Sequence, residues 1–79
     1  MTRLKRERLA RGIPAWKLAA QANVHPMYVS QYERGLMAAL PTHQARLARA
    51  LGLRPEELFD AKGFAVAVDE VPEKAASYI

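Results

Sequence analysis

Met27, Ser30, Gln31 and Arg34 fall at relative positions 0, 3, 4 and 7, so a helix through them gathers all four on one face. Their chemistry suits the edge of a base pair. The Gln31 amide both donates and accepts, which matches N7 and N6 of adenine, and the Met27 side chain can pack on a thymine methyl. Arg34 can pair with a phosphate, or with guanine if it reaches the groove. Ser30 is small enough to allow close approach. An ordinary solvated helix face has the same make-up, and periodicity alone leaves that alternative open. Val29 and Tyr32 take the inward side, with Val24 before them.

Other reactive side chains form no comparable set. His25 and His43 are the only histidines and there is no cysteine, so neither a metal site nor a cofactor is expected. His25 precedes the helix that begins at Pro26, and His43 reads as a solvent-facing residue in the first turn of a later helix. Glu56, Glu57 and Asp60 read as a helix-start cluster rather than a catalytic pair. Trp16 reads as a core anchor or a cover on a helix surface. With no phosphate-cradling glycine loop and no nucleophile beside a base, an enzyme is not expected.

The elements that position these residues are marked by glycines and prolines. A first helix runs from about Thr2 to Arg11 and closes at Gly12. Pro14 suits the first position of a second, which continues through strong helix formers to Ala22 and ends at Asn23, a residue that tolerates the left-handed conformation. Pro26 opens a third helix that reaches Arg34 and stops at Gly35; a fourth lies between Pro41 and Gly52, and a short fifth begins at Pro55. Only Asn23 to His25 join the second and third, and so short a connection forces the sharp corner of a helix-turn-helix. The expected core is Leu4, Leu9, Ile13, Leu18, Val24, Val29, Leu47, Leu51, Leu53, Leu58 and Phe59.

The reading is thus an all-α, five-helix domain over residues 1–60 with an extension over 61–79. In the extension, Phe64 to Val68 is a β-leaning run that can pair across a two-fold axis in a dimer or add an edge within its own chain. Glu73 to Ile79 reads as a last helical turn or a frayed end.

Charge is unevenly spread. The chain of 79 residues is 51% hydrophobic with a net charge of +4, and Arg3, Lys5, Arg6, Arg8, Arg11 and Lys17 near the start are opposed only by Glu7. A basic front suits a polyanion, although a well-solvated helix surface has the same character. No apolar run approaches the ~20 residues of a membrane span, so no membrane association is expected and a soluble cytoplasmic protein is the default.

The string Leu18-Ala19, then Val24, then Val29-Ser30-Gln31-Tyr32-Glu33-Arg34-Gly35 resembles the lambda-repressor-like, Cro/XRE family of helix-turn-helix regulators. Leu47-Ala48-Arg49-Ala50-Leu51-Gly52-Leu53 and Glu56-Glu57-Leu58-Phe59 match that family's closing pattern. The resemblance implies a transcriptional regulator, a repressor in the usual case, that binds double-stranded DNA. One helix of about nine residues reads too few base pairs for useful specificity, so a homodimer is expected. The resemblance places base reading at Pro26, Met27 and Gln31 and phosphate contacts at Ala15, His25 and Arg34; from their own chemistry Tyr28 is added to the base readers, and Ser30 and Lys17 to the backbone contacts. The resemblance also implies that Arg8 pairs with Glu33 as an architectural tie. Three positions and one loop depart from the family. Ala15 stands where a glutamine is usual, Pro26 where a polar reader is usual, and Glu7 where an apolar residue is usual. The loop Leu36-Met37-Ala38-Ala39-Leu40 is apolar where basic residues are usual. That loop either offers a surface to a protein partner or packs back on the core.

Overall fold

The computed structural model describes residues 1–69. Five helices follow in order: α1 (Arg3–Ala10), α2 (Ala15–Ala22), α3 (Pro26–Glu33), α4 (Pro41–Leu51) and α5 (Pro55–Leu58). No helix among the described residues is long and apolar enough to cross a membrane.

Local chemistry sets the boundaries. The Thr2 hydroxyl oxygen caps α1 by accepting the Lys5 N–H at 3.3 Å. Asn23, at φ 54°, ends α2 in the left-handed conformation, and Gly52, at φ 71°, ends α4 in the same way. Pro26, Pro41 and Pro55 each open a helix where no backbone N–H is needed. Pro14 differs slightly from expectation: it is the residue before α2 rather than its first.

Leu4, Leu18, Val29, Tyr32, Leu47 and Leu58 are fully buried and form the centre of the core, joined by Val24, Leu51 and Phe59. α4 packs against α2 and α5, and α1 against α3. Ile13 and Leu53 are half-buried and lean on this core, and Leu9 is also half-buried. Trp16 is 67% exposed, so it is not a core anchor. His43 is not solvent-facing. It is half-buried, with Nδ1 2.7 Å from the Tyr32 hydroxyl and its ring against both Tyr28 and Tyr32.

Residues 61–69 return across the domain. The stretch expected as a strand makes two isolated antiparallel bridges, Thr2 with Ala67 and Phe59 with Ala65, and no sheet forms among the described residues. The stretch lies between two pieces of its own chain. On one side Arg3 N–H donates to Val66 O and Val68 N–H to Met1 O, both at 2.7 Å; on the other Val66 N–H donates to Leu58 O at 2.9 Å. Leading into it, the Asp60 carboxylate accepts the Lys62 and Phe64 N–H groups, and Gly63 sits against Ala39 and Gln44. A Cβ at Gly63 would lie 3.0 Å from the Ala39 carbonyl oxygen, at φ +92°, so only glycine fits. The expectation for Glu73 to Ile79 lies outside the described residues.

Candidate nucleic-acid interface

The corner between α2 and α3 comprises Asn23, Val24 and His25. Val24 is buried beneath it, and the left-handed Asn23 turns the chain. His25 caps α3: its Nδ1 accepts the Met27 N–H at 3.1 Å. With Nδ1 an acceptor, the ring proton of the neutral imidazole sits on Nε2, on an exposed side chain. Arg46 of α4 reaches the same corner, with a guanidinium nitrogen 3.5 Å from the Asn23 carbonyl oxygen.

α3 divides cleanly by face. Val29, Tyr32 and Glu33 are buried. Pro26, Met27, Ser30 and Arg34 are exposed, Met27 by 54%, and Gln31 is half-buried. Tyr28 sits on the flank. It is half-buried, stacked on Tyr32 at a centroid distance of 6.1 Å and tilted against His43 at 5.2 Å. Part of its ring is thus taken up by packing, and the rest is open. Lys17 on α2 is exposed and Ala15 half-buried.

Two ties hold the end of α3 to α1. The Thr2 hydroxyl donates to the Glu33 carbonyl at 2.7 Å. Arg8 donates from Nε to Glu33 Oε2 at 2.6 Å and from Nη2 to Oε1 at 3.0 Å, while its Nη1 bonds the Ile13 carbonyl. Both side chains of that ion pair are nearly buried. Arg8 is therefore architectural and has no free face for a ligand.

Much of the remaining basic front is also occupied. Arg3, Arg6 and Arg11 surround Glu7, and Arg11 further donates to the Leu51 carbonyl at 2.7 Å. Burial works to raise the Glu7 carboxyl, but hydrogen bonds from Arg11 and Arg6 and the charges of Arg11 and Arg3 outweigh it and hold it below its usual value. Guanidinium groups of Arg3, Arg6 and Arg11 stabilise the charged carboxylate. The cluster braces α1, and one carboxylate among three guanidinium groups leaves it a net positive charge.

The loop after α3 divides in two. Ala39 is buried, its N–H donating to Gly63 O at 2.8 Å, whereas Leu36 is 59% exposed and Met37 and Leu40 are exposed too. The loop backbone packs on the returning segment, where Phe64 and Val66 are also exposed, and its large side chains do not.

A sequence model of the helix-turn-helix family matches residues 4–58. The chain belongs to that family, as a Cro/XRE-like member. No curated protein and no solved structure matches it. Helix-turn-helix proteins are a family of DNA-binding transcription regulators, and the second helix of the motif is α3 here. The match ends at Leu58, so the segment that pairs with Met1 to Arg3 adds to the helix-turn-helix core. Arg46 at the corner escaped the sequence reading, which also left the place of Trp16 open. Helical periodicity within α2 or α4 carries no signal for what a residue meets on another helix.

Proposed function

We propose that this helix-turn-helix protein is a cytoplasmic transcriptional repressor that binds a specific operator in double-stranded DNA as a homodimer. The observation that carries this reading is the face of α3. Met27, Ser30, Gln31 and Arg34 lie on its outward side, while Val29, Tyr32 and Glu33 fasten the other to the core. Met27 and Gln31 read bases directly, with Pro26 in van der Waals contact and the rim of Tyr28 alongside. Arg34, His25 through Nε2, Ser30 and Lys17 hold the phosphate backbone. With so few polar readers, sequence-dependent DNA shape contributes to selectivity.

An eight-residue helix reads few base pairs, which is the reason for the dimer. Two copies would place half-sites about 34 Å apart. Because Phe64 to Val68 already pairs with its own chain, the dimer contact comes from exposed side chains there rather than from strand pairing. Selection of bound duplexes from a random pool tests the reading. A palindromic consensus, bound at least about a thousandfold more tightly than random DNA, supports it. Recovery of no consensus, with weak binding that collapses with salt, counts against it.

A second reading is favoured by one feature. Leu36, Met37 and Leu40 are exposed immediately after α3 and carry no charge, which suits a different protein as partner, as in an antitoxin or a factor docking on transcription machinery. On that reading the selection experiment returns no consensus.

A further inference from the structure

We propose that Trp16 is a DNA-backbone contact, its indole N–H donating to a phosphate oxygen while its ring covers the adjoining deoxyribose; this rests on the DNA-binding reading of α3. Trp16 is the sole tryptophan and 67% exposed, and among the described residues its indole N–H has no acceptor. Tryptophan carries a large apolar area and one obligatory donor, so leaving both in water gives up what the residue can contribute.

Its position defines the partner. Trp16, Ala19, Ala20 and Asn23 share one face of α2, and they form an open cleft of about 430 Å³ whose other wall includes His25 and Pro26, where α3 begins. The cleft therefore continues directly into the reading face. No acidic residue occurs between Glu7 and Glu33, a span holding all of α2 and the corner, and Glu33 is closed off by Arg8. Lys17 lies next to Trp16, and Arg46 bonds the Asn23 carbonyl at the cleft's far end. A largely apolar cleft lined by no carboxylate, with Lys17 next to Trp16 in the chain and Arg46 at the Asn23 carbonyl, fits a sugar–phosphate strand, whose sugars are apolar and whose phosphates are anionic. The small side chains of Ala19 and Ala20 leave room for that strand against the indole.

Because Trp16 is the only tryptophan, its fluorescence reads the contact directly in the full chain. The probe is a random-sequence duplex of about 20 base pairs at low salt, since a backbone contact does not depend on sequence. On saturation, acrylamide quenching of the indole should fall and its emission shift. Trp16→Phe keeps a ring and removes the donor. It should weaken the duplex roughly three- to tenfold, the worth of one hydrogen bond, without changing the melting temperature or the salt slope, because no charge is lost. A duplex that binds and leaves quenching unchanged overturns the Trp16 contact while sparing the DNA-binding reading. Shielding that grows with protein concentration in the absence of DNA assigns the indole to a protein surface instead. Shielding by DNA with unaltered affinity in Trp16→Phe overturns the phosphate bond. If no duplex binds at all, both the contact and the reading beneath it fail.

Discussion

Arg8 of α1 grips Glu33, the last residue of α3, through two hydrogen bonds of 2.6 and 3.0 Å, and so fixes the end of α3 to α1. Removing one partner strands a nearly buried charge. Arg8→Ala should therefore cost about 3–5 kcal/mol, a large share of the roughly 4–12 kcal/mol available to a domain of this size. Joint replacement, Arg8→Met with Glu33→Leu, should cost less than Arg8→Ala alone, because no charge is left unpaired. Urea unfolding of the two variants checks this. A double variant that is the less stable of the two contradicts the account.

Tyr32 links α3 to α4. Its ring is 1% exposed and its hydroxyl lies 2.7 Å from His43 Nδ1. Burial pushes that hydroxyl above its ordinary value, a backbone hydrogen bond at Leu40 pulls the other way, and Tyr28 adds to the rise. Tyr32→Phe keeps the packing and removes only the hydroxyl. A loss of about 1 kcal/mol is expected, and the melting temperature should fall by roughly 4–8 °C. An unchanged melt in a calorimeter would show that the bond contributes nothing.

Glu7 supplies a pH dependence. Its carboxyl is held below its usual value in the folded state. Its contribution is therefore complete above the unfolded carboxylate value, near pH 4.3, and is lost as pH falls through the folded value. Glu7→Gln should be less stable than the parent at neutral pH, and the gap should close in acid. Urea midpoints for both proteins across that range are the check, and a gap that persists in acid contradicts the assignment.

Arg34 caps the end of α3 with an exposed side chain. As a phosphate contact it should act on every sequence alike. Arg34→Ala should reduce the slope of log affinity against log salt by about one unit, on selected and random duplexes equally. A loss confined to one base position would make it a base reader instead.

The helix boundaries were legible because they depend on neighbours in the chain. Asn23 and Gly52 in left-handed conformations, and Pro26, Pro41 and Pro55 at helix starts, act within a few residues. The inward face of α3 was legible for the same reason. What escaped depends on contacts between distant segments. His43 is drawn inward by Tyr28 and Tyr32 of α3, Trp16 is left bare because among the described residues no element crosses that face of α2, and three arginines on and just after α1 converge on Glu7. The β-leaning character of Phe64 to Val68 was plain, but its partners lie at Met1 to Arg3 and at Leu58, and no periodicity names them.

The most direct test of α3 as the reading helix is the affinity ratio between a selected operator and random duplex at one salt concentration, for the parent and for Gln31→Ala. The parent ratio should be at least about a thousandfold. Gln31→Ala should lose about 1–3 kcal/mol on the operator, with relaxed preference at one base pair, and nothing on random DNA. Equal loss on both duplexes would mean that Gln31 reads no base and would contradict the account.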